Sequence, residues 1–165
     1  KICNEVMAHS YSHLYGFKSI GLRFFTVYGP YGRPDMAIYK FTDAIYKNKK
    51  IDLYGSGKML RDCTYVDDIV IGIIKTLKNK TTSIDHNIYN IGYGNPVTVK
   101  NILKEIEKNT NKKANISIVP KHNSEMDKTY CSSVKFNKKF NFKAKTDINE
   151  GLKKFNDWYK SYYLK

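Results

Sequence analysis

Arginine is scarce in this chain. Of 29 basic residues among 165, only Arg23, Arg33 and Arg61 are arginines; the other 26 are lysines. Cysteine is nearly as rare. Cys3, Cys63 and Cys131 are odd in number, far apart and without a C-x-x-C pair, which argues against a disulfide framework and against zinc and fits a reducing compartment. No apolar run reaches the ~18 residues of a membrane span. No positively charged segment followed by an apolar core and a small-residue cleavage site opens the sequence. A cytoplasmic protein without a membrane partner is the expectation. The chain also starts without methionine, and "KICNEVMAHSYSHLYG" reads as helix from its first residues, as in a fragment of a longer protein.

Lysine is what the chain has in excess, giving a formal charge of +14. The lysines are dispersed and accompanied by many Asn and Ile residues, as an AT-rich genome would produce. Nucleic-acid sites favour arginine in a focused patch. A solvated lysine surface is therefore the reading, and a basic nucleic-acid-binding domain is only the rival to it. The composition, 41% hydrophobic and 27% charged, is that of a globular chain long enough for a real core.

Periodicity and punctuation predict the elements. A helix over 2–15 carries Ile2, Val6, His9, Tyr11, His13 and Leu14 and closes at Gly16. A buried strand follows at 19–25. Residues 26–36 hold Gly29, Pro30, Gly32 and Pro34, too many breakers for a regular element. A helix over 37–48 places Ala37, Phe41, Ala44 and Ile45 on one stripe. A turn at 54–58, a strand at 61–66, a helix at 67–79 with an acidic start and a strand at 87–92 come next. Thr98 is expected to cap a helix at 99–109, with Val99, Ile102, Leu103 and Ile106 inward. A strand at 114–120 and a short helix at 132–140 precede a last helix opened by Asp147 and Glu150, spaced as a capping box. That helix would align Ile148, Leu152, Phe155, Tyr159 and Tyr162. Alternating helices and strands make the class α/β.

Three loop segments carry residues that packing does not require. The first holds Thr26, Tyr28 and Arg33; the second, "LYGSGKMLRDCTYVDD", holds Arg61 after a glycine turn; the third places Asn90 at a strand end beside two glycines. In α/β sheets ligands bind outside the carboxyl ends of strands. Two arginines converging on one anion would suit a diphosphate or a carboxylate. The scattered His9, His13 and His86 read as structural or exposed.

"LRFFTVYGPYGRPDMA", "YGSGKMLRDCTYVDDI" and "YNIG", in this order, resemble the extended short-chain dehydrogenase/reductase family of nucleotide-sugar epimerases and dehydratases, which bind a nicotinamide cofactor. Within the family they are most similar to the UDP-glucuronate 4-epimerases, whose "NE-MAH-YSHLYG" helix signature is also here. The resemblance implies the C-terminal part of a Rossmann-type parallel-sheet domain plus a small α/β substrate-binding domain. It assigns 1–25 and 67–92 to the NAD-binding domain and 26–66 and 93–165 to substrate binding. Segments 2–25 and 67–92 would then expose apolar faces.

In the family motif Tyr-x-x-x-Lys, followed by three residues and a Glu, "KICNE" supplies the second half. The resemblance thus makes Lys1 the catalytic lysine, lowering the pKa of a tyrosine four positions ahead and holding the nicotinamide ribose. It gives Thr26 and Arg33 the sugar carboxylate, with Arg33 also near the diphosphate. Arg61 takes the diphosphate, Asn90 the nucleotide, and Tyr28 the cofactor side. Glu125 stands where relatives have a ribose-binding aspartate, and His122 where galactose epimerases have an arginine. The implied activity inverts C4 of UDP-glucuronate through a 4-keto intermediate, with NAD as cofactor and a homodimeric parent. The fragment alone is expected to be inactive. Another nucleotide-sugar epimerase, or a dehydratase of the same family, is the alternative.

Overall fold

In a computed structural model of the chain, residues 1–79, 86–121 and 125–164 are described. Their order is α1 (Ile2–Tyr15), β1 (Ser19–Phe24), β2 (Thr26–Tyr28), α2 (Ala37–Tyr46), β3 (Lys50–Tyr54), β4 (Leu60–Arg61), β5 (Cys63–Tyr65), α3 (Val66–Leu77), β6 (His86–Ile91), β7 (Val97–Thr98), α4 (Val99–Thr110), β8 (Asn115–Val119), α5 (Val134–Phe140) and α6 (Ile148–Tyr163). A single turn of 3-10 helix at Gly55–Gly57 joins β3 to β4.

Three of the four strand pairs are parallel: β1 with β6, β2 with β5, and β3 with β8; β4 and β7 run antiparallel. The run 19–28 is one extended segment that changes partners. Up to Phe24 it pairs with β6, and from Thr26 it pairs with β5. This corrects an expectation: residues 26–28 are a strand, opened by Thr26, despite the breakers that follow. The predicted strand at 61–66 is likewise split, because Asp62 turns inward between β4 and β5.

The β1–β6 pair is covered on both sides. Ile20, Leu22, Tyr89 and Ile91 face α3 and α5, where Ile69, Phe136 and Phe140 complete one core cluster. The opposite face, period two away, meets α1, where the His9 and His86 rings lie 6.2 Å apart. Helix α1 docks through Glu5, Ala8 and Ser12, its least exposed residues. Glu5 grips Arg23 of β1 with two hydrogen bonds of 2.7 Å, and Gly16 closes the helix at φ 67°. Its apolar residues Ile2, Val6, Met7, Tyr11, Leu14 and Tyr15 point outward, as do Val70, Ile71, Ile74 and Leu77 of α3.

The larger core joins β2, β3 and β5 to α2, α4 and α6. Helix α2 turns Ile38, Phe41, Thr42, Ala44 and Ile45 inward; Ala37, expected on that stripe, is exposed. Helix α4 buries Val99, Ile102, Leu103 and Ile106 as its spacing predicts. Thr98 caps it, accepting from the Asn101 N–H at 3.1 Å, a contact worth about 1 kcal/mol. Asp147 caps α6 by accepting from the Asn149 and Glu150 N–H groups, but Glu150 pairs with Lys154 instead of completing the box. Along α6, Gly151, Leu152, Phe155, Asn156 and Tyr159 are buried, whereas Tyr162 is 55% exposed.

Candidate functional site

A cleft of about 360 Å³ opens beside β2. Its walls are Thr26–Tyr28, the first turn of α2 with Asp35 and Lys40, the end of β3 at Asp52–Tyr54, and Met59, Arg61, Cys63, Val99, Ile102 and Glu125. Thr26, Tyr28, Arg61 and Glu125, far apart in sequence, share this space. Helix α2 presents its amino end there without a side-chain cap or an acidic residue in the first turn. Such an end carries partial positive charge and free N–H donors suited to an anion.

Arg61 is the most constrained side chain of the cleft. Its Nη1 donates to the Leu60 and Met126 carbonyls at 3.0 and 2.8 Å, and its Nη2 donates to Glu125 Oε2 at 3.0 Å. Glu125 reaches it because the following segment is laced to Leu60. The Leu60 N–H donates to the Asp127 carbonyl at 2.8 Å, and the Thr129 N–H to the Leu60 carbonyl at 3.1 Å. The arginine side chain is only 20% exposed, so its fork is aimed before any ligand arrives.

A buried polar network fixes this arrangement from below. Asp62, fully buried, accepts from the Gly94 N–H through Oδ1 at 3.1 Å and from the Cys131 N–H through Oδ2 at 2.7 Å. Its own N–H donates to Thr129 Oγ1. Thr64 Oγ1 accepts from the Tyr93 N–H at 2.9 Å, and Ser133 Oγ from the Gly92 N–H at 3.0 Å. The loop after β6 and the segment carrying Glu125 are thereby tied to the strand carrying Arg61. The sequence reading passed over Asp62, Thr64 and Ser133. The one available signal was an acid inside an otherwise strand-like stretch, "RDCTYV".

The remaining expected residues lie elsewhere. Arg33 is exposed and forms a two-pronged pair with Asp35, at 3.0 and 2.5 Å; Asp35 lines the cleft, but Arg33 does not. Asn90 sits on β6 opposite Arg23, outside the cleft lining. Lys1 is exposed at the start of α1, where its carbonyl accepts from the Asn4 and Glu5 N–H groups. Tyr28 borders the cleft but is only 5% exposed; its hydroxyl is turned against Gly151 of α6 and has no partner among the described residues. Burial raises that phenol well above its ordinary pKa, so it stays protonated. Burial likewise pushes the Cys63 thiol up to about 12, which leaves it an apolar wall and no nucleophile. His122 lies outside the described residues. No group of three or more His, Cys, Asp or Glu capable of holding a metal exists among the described residues.

Parallel strands covered by helices, with an arginine-bearing cleft beside them, define an α/β protein with a cleft suited to an anion. Residues 1–92 match the NAD dependent epimerase/dehydratase family, and the chain belongs to it. Protein CapI of Staphylococcus aureus is 42% identical over 180 residues, covering 100% of this chain and 54% of that protein. UDP-glucuronate 4-epimerase 1 of Arabidopsis thaliana is 39% identical over 99% of this chain and 41% of its own length. Among solved structures, UDP-glucuronic acid 4-epimerase from Bacillus cereus, in complex with UDP-glucuronic acid and NAD, superposes with a TM-score of 0.91 at 28% identity, over 99% of this chain and 52% of that one. The chain spans about half the length of the curated relatives it matches.

Proposed function

We propose that this chain forms the UDP-sugar-binding part of an NAD-dependent 4-epimerase acting on UDP-glucuronate. The observation that carries this reading is the convergence of Arg61, Glu125 and Thr26 on one cleft beside the uncapped start of α2. A guanidinium and a helix amino end are suited to a diphosphate. Thr26 would donate its hydroxyl to the sugar end, and Arg33, beside the Asp35 wall, would swing from that carboxylate to the sugar's. Glu125, already held by Arg61, would accept from the ribose hydroxyls. Asn90 is proposed for the nucleotide only as the strand-end residue of its loop.

The cofactor fit is partial. Lys1 offers a free-standing ammonium at the start of α1, suited to a ribose hydroxyl and to lowering the pKa of a tyrosine; Tyr28 could offer only its ring edge. The tyrosine that the resemblance puts four positions ahead of Lys1 is outside the 165 residues. NAD, when bound in such an enzyme, supplies the hydride acceptor at C4. The residues present here hold the sugar nucleotide while a proton leaves its 4-hydroxyl.

The same reading divides the chain into 1–25 and 67–92 on the cofactor side and 26–66 and 93–165 on the substrate side. The larger core cluster supports that division, being built from the substrate-side segments, whereas in the smaller one Phe136 and Phe140 of α5 pack with Ile69, Tyr89 and Ile91 across it. The outward apolar faces of α1 and α3 support a homodimeric parent, and dispersed lysines support the absence of a nucleic-acid partner. No helix among the described residues is long and apolar enough to cross a membrane; the cytoplasmic location is proposed from the scarce, unpaired cysteines. Calorimetric titration of the chain with UDP-glucuronate, UDP-glucose and UDP tests the proposal. Tighter binding of UDP-glucuronate than of UDP-glucose is expected; no heat with any uridine nucleotide would refute it.

A further inference from the structure

The loop between β2 and α2 turns on a backbone that its sequence disfavours. The Gly32 N–H donates to the Gly29 carbonyl at 3.1 Å, closing a four-residue turn with Pro30 and Tyr31 at its centre. Tyr31 has φ 58°, in the left-handed region where such a turn ordinarily calls for glycine or asparagine. Burial does not hold it there, because Tyr31 is 78% exposed. Two rings of α6 lie against its ring. Tyr31 lies 5.2 Å from Trp158 and 5.8 Å from Tyr162, which stack on one another at 5.5 Å and 26°. The Trp158 Nε1 is buried without a hydrogen-bond partner, so the indole serves here through its ring faces. Two residues on, Arg33 pairs with Asp35, and Asp35 forms part of the cleft wall.

We propose that Tyr31 is a positioning residue: clasped by Trp158 and Tyr162, it holds the 29–36 turn in its left-handed form and so sets the Arg33–Asp35 pair beside the cleft. A strained residue kept at a site-bordering turn is where such a role is expected. Its consequence for ligand choice rests on the UDP-glucuronate reading; the clasp itself does not.

Trp158 is the chain's single tryptophan, so its emission reports the clasp directly. Tyr31→Ala removes the ring and keeps the Cβ that makes the left-handed backbone costly, and Tyr31→Phe keeps the ring. In Tyr31→Ala the Trp158 emission should move to longer wavelength, and amide exchange at Gly32 and Met36 should quicken roughly fivefold or more as the turn opens. Tyr31→Phe should match the wild type in both. For UDP-glucuronate, Tyr31→Ala should raise Kd about tenfold, against under about twofold for UDP-glucose, the loss of one oriented charged contact. Unchanged emission and exchange in Tyr31→Ala would overturn the clasp. Equal weakening for both sugars would overturn its role in placing Arg33. If the wild type fails to distinguish the sugars, the substrate reading falls, and the exchange and emission measurements still decide the clasp.

Discussion

Arg61 shows why a lysine-rich chain keeps an arginine at this position. Its two terminal nitrogens serve two backbone carbonyls and one carboxylate together, a planar fork that an ammonium cannot reproduce. In Arg61→Lys one charge remains but the aim is lost. Hydrogen bonds to charged groups are worth about 1.5–3 kcal/mol, so UDP binding should weaken by roughly tenfold or more, measured by calorimetry. The cysteines give a second residue-scale expectation. Cys3 is exposed, whereas Cys63 and Cys131 are buried with their thiols pushed upward by desolvation. A thiol reagent at pH 8 should titrate one cysteine quickly and the other two only on unfolding. Unfolded Cys63 ionises near ~8.5, but the folded thiol holds its proton to about 12. Its contribution to stability is therefore full below pH ~8.5 and declines as pH rises from there toward 12. Urea midpoints at pH 7 and pH 10 should show the loss, and Cys63→Ala should reduce it.

At the scale of elements, the two buried acids of "RDCTYVDD" make a pair with unequal expected costs. Asp62 uses both oxygens, one for the Gly94 N–H and one for the Cys131 N–H. Asp68 uses Oδ2 alone for the Lys145 and Thr146 N–H groups. An amide can keep one acceptor oxygen in place but not two. Asp62→Asn should therefore cost about 1–3 kcal/mol, the penalty for an unmet buried donor, while Asp68→Asn should cost less. Thermal melts of the two variants decide it; equal losses would contradict the geometry. Gly151 sets a similar constraint on α6, because a Cβ there would lie 2.0 Å from the Tyr28 hydroxyl oxygen. Gly151→Ala should lower stability by about 1–3 kcal/mol through overpacking, and the double variant with Tyr28→Phe should recover part of it. These contacts also mark how far sequence reading reached. Thr98, Asp147 and Gly16 announce their helix ends by local chemistry, and α4 announces its inward face by spacing. Strands β2, β4 and β7, of two or three residues each, exist only because distant partners pair with them, and no local period shows that. The meeting of Thr26, Arg61 and Glu125 is a tertiary event. Family resemblance put all three near one ligand, but neither it nor composition showed that Glu125 would grip Arg61.

At the scale of the whole molecule, two helices turn apolar faces to solvent. On α1, Ile2, Val6, Met7, Tyr11 and Leu14 are more than half exposed; on α3, Leu77 is 80% exposed beside Val70, Ile71 and Ile74. The two helices lie on different sides of the β1–β6 and β2–β5 strands, so these are two faces and not one. Contiguous apolar surface of this kind marks contact with other protein, and a net charge of +14 opposes but does not prevent association in salt. The isolated chain should therefore self-associate as concentration rises, more strongly as ionic strength screens the lysines. Leu14→Glu and Leu77→Glu add charge where no internal contact is lost, so each should leave the melting temperature nearly unchanged, within the ~0.5 kcal/mol usual for surface substitutions. Sedimentation velocity over a tenfold concentration range, at low and moderate salt, separates the faces: a variant that restores a monomer identifies the helix through which the chain meets a second copy. A chain that stays monomeric throughout, with no binding of an apolar dye, would mean that these side chains fold back on the surface and offer no contact.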